Sequence, residues 1–234
     1  DYWPLKRFEN QNRLSDTIVW QLKEKLPLII LSAVFSVITI FTQHDSSGVY
    51  FSPVARLANA PVAFMTYLVK TFWPYDLTVF YPFPAEISVW QVITTACLIV
   101  IMMSFIIAKA KKRPYLFVGW LWYTIILLPV IGIVQVGNHS MADRYSYLPL
   151  IGIGVMLAWG VPTLLRHKTS SKKILLLAAI VFLAFLTLLT GQQCGYWKNS
   201  NTLFSHALHT TENNYIAHGS LGIALCKEGQ TEEA

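Results

Sequence analysis

Five stretches of this chain, roughly 26–42, 89–108, 115–134, 146–165 and 174–191, contain no Asp, Glu, Lys or Arg. About 20 consecutive apolar residues cross a bilayer as a helix, because backbone exposed to lipid must satisfy its own hydrogen bonds. Charged residues are only 13% of the chain, where about 25% is usual for a soluble domain. The sequence therefore predicts an all-α, polytopic membrane domain over residues 1–191.

The loops between these stretches are lopsided in charge. Lys6, Arg7, Arg13, Lys23 and Lys25 precede the first span. "KAKKR" (109–113) adds four cations and "RHKTSSKK" (166–173) four more, so 13 of the 18 Lys and Arg lie in three short segments. The positive-inside rule puts these segments in the cytoplasm. Residues 43–88, 135–145 and 192–234 then fall outside, with Arg56, Lys70, Arg144, Lys198 and Lys227 against eight acids. The net charge of +6 is topological on this reading and implies no nucleic-acid partner. The chain opens without an initiator methionine and stops inside an expected helix, so further segments are expected at both ends. Cys97, Cys194 and Cys226 have no metal-type spacing and read as small, partly buried hydrophobes.

"VARLANAPVAFMTYLVKTFW" (54–73) is nearly apolar enough to be a sixth span. At 100° per residue, Arg56, Asn59, Thr66 and Lys70 fall within an arc of roughly 80°, a narrow polar stripe. The segment reads as an external helix, about 55–72, lying in the interface or re-entrant, with Pro61 at its start or at a kink. Its stripe either faces water or lines a cavity. "WPYDLTVFYPFP" (73–84) follows, with Trp73, Tyr75, Phe80, Tyr81 and Phe83 suited to the headgroup region. Its prolines oppose a helix, so a rigid loop on the membrane is expected.

Residues 217–234, "AHGSLGIALCKEGQTEEA", fit a 34-residue helical repeat. With His218 at position 4, Leu221, Gly222, Leu225, Gly229 and Ala234 fall at positions 7, 8, 11, the turn and 20. One period earlier, Phe204 and Ala207 fall in phase, so 199–211 reads as the second helix of a preceding repeat. Residues 192–234 thus read as the start of a tetratricopeptide α-solenoid, which needs further repeats to bury a core and binds peptides or proteins in a groove. His206, His209 and His218 read as surface positions and not as a metal site, since no acid or cysteine completes the set.

No phosphate-cradling glycine loop, nucleophile elbow or zinc signature occurs. Candidate chemistry rests on polar groups beside the membrane: Asp143 and Arg144 in "MADRYSYLPL", then His139 and Asn138. Arg56, Lys70, Asp45, Asp76 and Glu86 come from the other outer loop. Such a set suits an anionic ligand, because arginine grips phosphate with a planar fork of donors. Adjacent Asp143 and Arg144 cannot satisfy each other on a helix. Two accounts stay open: Asp143 caps the next helix while Arg144 meets headgroups, or the two belong to a lipid-phosphate site.

"DYWPLKRF", "ARLANA", "WPYDLTVFYPFP", "MADRYSYLPLIGI", "YWKNSNTLFSHAL" and the terminal repeat resemble, in the same order, multi-pass membrane proteins with tetratricopeptide tails. These include bacterial sequences and the eukaryotic transmembrane and tetratricopeptide-repeat O-mannosyltransferases. The resemblance covers nearly the whole chain and implies the C-terminal part of a glycosyltransferase-C-like fold. It further implies transfer of a sugar from a polyprenyl-phosphate carrier to a protein Ser/Thr or glycan acceptor at the outer face. The carrier would be a substrate; the resemblance assigns no cofactor or metal. Such transfer needs a carboxylate near the acceptor oxygen and cations on the leaving phosphate. The carboxylate is expected N-terminal to this segment, leaving the catalytic residue unassigned. Arg144 first, Arg56 second, with Asp143 and His139, are the expected substrate-binding residues. The expected location is a bacterial inner membrane with the repeats in the periplasm, or an ER membrane with lumenal repeats. A non-catalytic repeat scaffold and a flippase for a lipid-linked sugar are the rivals. The charge-free spans count against the flippase.

Overall fold

A computed structural model describes residues 3–4, 14–44, 51–84, 86–133, 138–164 and 169–229. Lys6, Arg7, Arg13, Asp45, Arg166, Lys168 and Ala234 lie outside the described residues. Eight α-helices follow in chain order: α1 (Leu14–His44), α2 (Pro53–Phe72), α3 (Val89–Lys109), α4 (Pro114–Leu127), α5 (Tyr147–Leu164), α6 (Thr169–Tyr196), α7 (Ser200–Thr210) and α8 (Tyr215–Lys227). A 3-10 turn, Asp143–Ser146, leads into α5. Two short strands, β1 (Tyr81–Pro82) and β2 (His139–Met141), pair antiparallel. Neither strand was legible from the sequence pattern.

Among the described residues, three helical stretches are long and apolar enough to cross a membrane: Val89–Lys109, Asp143–Thr163 and Lys173–Tyr196. The chain is a membrane protein. Their apolar side chains lie largely on the outside, as expected where lipid covers them. α1 contains the expected 26–42 segment within one longer helix. The expected 115–134 segment is different. Its helix stops at Leu127, and bonds from the Val130 and Ile131 amides to the Leu127 carbonyl close turns instead. Pro129 has no N–H to continue the ladder, and Gly132 takes a φ of +89° that a side chain would resist.

The core sits where α2, α4 and α5 meet. Phe64 of α2 meets Trp120 and Tyr123 of α4 edge-to-face, with ring centroids 5.6 and 5.1 Å apart. The Tyr123 hydroxyl donates to the Phe64 carbonyl at 3.3 Å. α4 and α5 approach closely because Gly119 faces Gly152: a Cβ on either would collide with the other's carbonyl oxygen. Small residues allow such approach where no hydrophobic effect drives helices together. α7 and α8 form a hairpin whose crossing is filled by Ala207, Ala217 and Ala224, all buried. Asn199 and Asn214 cap the two helices, accepting from the Thr202 and Ala217 amides at 2.8 and 3.0 Å.

Candidate functional site around Asp143

α2 carries its polar stripe along the edge of its buried face. Asn59 is buried among Ala60, Ala63, Phe64, Tyr67 and Leu68, and the stripe reaches across to the segment that leads into α5. Arg56 donates to the Ile133 carbonyl at 3.2 Å, and Asn59 to the Ser140 carbonyl at 3.4 Å. About two turns further on, the Tyr67 hydroxyl both donates to the Ala142 carbonyl at 3.0 Å and accepts from the Ala142 amide at 2.8 Å. These bonds hold Ile133, Ser140 and Ala142 against α2 and bring Asp143 to its Lys70 end.

Asp143 does not cap the helix behind it. Its carboxylate accepts from the Tyr81 hydroxyl at 2.9 and 3.0 Å and from the Thr78 amide at 3.2 Å. It therefore reaches across to the 73–84 segment, which it fastens against the start of α5. Lys70 holds the same segment from below, donating to the carbonyls of Tyr75 at 3.0 Å and Asp76 at 2.9 Å. Its ammonium also lies 5.0 Å from the Tyr81 ring centre. Asp76 takes a φ of +51°, a conformation Asp tolerates, which turns its carbonyl towards Lys70. Burial pushes the Tyr81 hydroxyl well above its ordinary value, and the neighbouring Asp143 charge adds to this. Burial lowers Lys70, opposed by Asp143 and Asp76.

The other side of this segment meets the tail. Gln193 of α6 donates to the Leu77 carbonyl at 3.0 Å, and the His206 Nε2 lies 3.1 Å from the same oxygen. Asn214, fully buried, donates to the Phe80 carbonyl at 3.2 Å. His206 stacks on Tyr196 with centroids 3.7 Å apart. Residues 75–81 are thus tied on one face to α2 and Asp143, and on the other to α6, α7 and α8.

The residues expected to act together are distributed unequally. His139 sits between the Phe80 and Tyr145 rings, 6.0 and 5.7 Å away, in the ribbon that precedes Asp143. Burial lowers its basicity, with the Arg144 charge second. Arg144 is exposed and lies 5.1 Å from the Tyr145 ring centre. Arg56 and Lys70 are about 21 Å apart along α2 at 1.5 Å per residue, so Arg56 stands at the far end from Asp143. The Arg56 Nε is buried without a partner among the described residues.

Sequence reasoning missed Tyr81, Thr78, Tyr67, Gln193 and Asn214. Tyr81 was hidden in a run of rings whose composition suits a membrane interface. Its hydroxyl is distinguished only by a carboxylate 62 residues away. No groups of three or more metal-binding side chains occur among the described residues.

Neither a family model nor a solved structure matches this chain. Curated sequences do. The human protein O-mannosyl-transferase TMTC4 is 29% identical over 158 residues, covering 65% of this chain and 21% of its own length. Its curated relatives are protein O-mannosyl-transferases. Tmtc2 of Drosophila melanogaster is 30% identical over 107 residues, covering 46% of this chain and 11% of that protein. Tmtc3 of the same species is 28% identical over 114 residues, covering 48% and 12%. The chain spans about a fifth of the human relative's length and less of the fly proteins.

Proposed function

We propose that this chain is the later part of a membrane glycosyltransferase that moves a sugar from a polyprenyl-phosphate carrier to a protein hydroxyl. The observation that carries the reading is the likeness to a protein O-mannosyl-transferase over 65% of the chain. The transferring carboxylate belongs to a segment N-terminal to this one. Here the chain supplies the surroundings of the leaving phosphate. Arg144, exposed beside Asp143 at the head of α5, meets the phosphate with its fork of donors. Asp143 orients the loop carrying Tyr81, and His139 closes the site on the ribbon side. Arg56, about 21 Å from Lys70 along α2, is too far away to share this phosphate and instead ties α2 to the Ile133 carbonyl. The charged loops orient this end of the bundle away from the cytoplasm, in a bacterial periplasm or an ER lumen. The α7–α8 hairpin opens a tetratricopeptide array that gathers the acceptor or a partner protein.

The test is transfer of radiolabelled mannose from polyprenyl-phosphate mannose by the full-length protein in membranes. Arg144→Ala abolishes transfer while the variant still inserts and folds. Normal transfer by that variant would remove Arg144 from the mechanism. No transfer by the wild-type protein, with partner proteins still retained on the array, would favour a membrane-anchored scaffold.

A further inference from the structure

Two cavities flank α2, and they differ in chemistry. One, about 470 Å³, is lined by Lys70 and Asp76 together with apolar Val62, Met65, Val69 and Trp73, and by the first turns of α3. The other, about 480 Å³, lies between α2, the ribbon and the α7–α8 turn, and neither Lys nor Arg lines it. Two acids, Glu86 and Glu212, stand on its wall. Thr66 belongs to both. The second cavity, with two acids and no cation on its wall, therefore suits a cationic occupant.

The second cavity is a built site. Its volume falls within the roughly 300–1,000 Å³ of ligand pockets. Asn59, only 3% exposed, lines it and makes one long bond, from Nδ2 to the Ser140 carbonyl. The rest of its carboxamide is unpaired among the described residues. A carboxamide presents the same donor and acceptor as a peptide group, so it recognises backbone. The ribbon residues Tyr81 and Ser140 line the same space. Tyr81 also donates to Asp143, so whatever occupies the cavity touches the Asp143 cluster through one ring. Thr211, Glu212 and Asn213 bring the hairpin to the opposite wall.

We infer that this cavity is the acceptor groove, taking an extended peptide segment that carries a Ser/Thr hydroxyl between basic residues. The inference rests on the transferase reading and names the acceptor it would select. Asn59 reads the peptide backbone, Glu86 and Glu212 hold the basic flanks, and Tyr81 borders the hydroxyl-bearing residue.

The test uses the full-length protein in lipid nanodiscs, with fluorescein-labelled Ser/Thr peptides flanked by Lys or by Glu and a neutral oligosaccharide as competitor. Anisotropy shows the Lys-flanked peptide binding about 5-fold more tightly, the size expected of two partly screened charge pairs. The double variant Glu86→Lys with Glu212→Lys erases that preference, and its KM for the Lys-flanked peptide in mannose transfer rises by a similar factor. A preference unchanged in the double variant overturns the inference, as does displacement of the peptide by the oligosaccharide. Charge-sensitive binding without any sugar transfer would leave the groove standing and remove the transferase reading. If the double variant misfolds, p-benzoylphenylalanine at position 212 of the otherwise native chain must photo-crosslink the peptide; no adduct overturns the inference.

Discussion

Tyr81→Phe removes a single oxygen and keeps the ring that packs against Lys70. The lost bond runs to a carboxylate at 2.9 Å, and hydrogen bonds to charged groups contribute about 1.5–3 kcal/mol. The Thr78 amide still donates to Asp143 at 3.2 Å, and the carboxylate is only partly buried, which selects the lower end. We expect about 1.5 kcal/mol of destabilisation, a fall in Tm of about 3–6 °C for a domain of this size. Asp143→Asn loses the same charge-assisted bond from the other side. In a double-mutant cycle the two substitutions couple by about 1 kcal/mol, because each alone already breaks the shared contact. Thermal unfolding of the four purified full-length proteins measures it. Additive effects, with coupling below about 0.3 kcal/mol, would show that Tyr81 does not hold Asp143 and that the 73–84 loop is fixed by other contacts.

Arg144→Ala, in contrast, shifts stability by less than about 0.5 kcal/mol, since the side chain is exposed and its recorded contact is with the neighbouring Tyr145 ring; thermal unfolding checks this beside the transfer assay. His139 gives a pH signature. Its folded pKa lies below the ordinary 6.5, first through burial, so the unfolded chain takes up the proton first. Stability is complete above about pH 6.5 and falls as the pH drops below it. Denaturation between pH 7 and 5 should show a slope that His139→Gln flattens. Gly152→Ala drives a methyl group into the Gly119 carbonyl and costs about 1–3 kcal/mol by overpacking. Gly154→Ala meets nothing within 4 Å and serves as the control in the same melts.

The helices were legible because period and hydropathy are local properties. The expected 89–108 is Val89–Lys109, and the expected 55–72 is Pro53–Phe72. The expected 199–211 is Ser200–Thr210 with its Asn199 cap. Where the pattern was extended through Pro129 to residue 134, hydropathy persisted but the backbone could not. The α2 stripe was visible as an 80° arc. Its partners were not, because Ile133 and Ser140 meet it through carbonyl oxygens that every residue possesses. The same is true of Leu77 and Phe80, whose oxygens receive Gln193, His206 and Asn214. Asp143 was picked out by its charge, yet its choice of Tyr81 over a helix cap depends on a fold that no short spacing encodes.

The tie between residues 75–81 and the tail sets an order of assembly. The Leu77 carbonyl waits for donors 116 and 129 residues downstream, and the Phe80 carbonyl for one 134 residues downstream. At about 5–20 residues per second of synthesis, that is a delay of roughly 6–27 s. Asp143, 62 residues beyond Tyr81, is made within that interval and fastens the inner face of the loop, while the outer face has yet to meet its donors. The hairpin therefore arrives as the closing piece of the membrane domain. A ribosome that stalls before Gln193 releases a bundle whose loop is held from one side only.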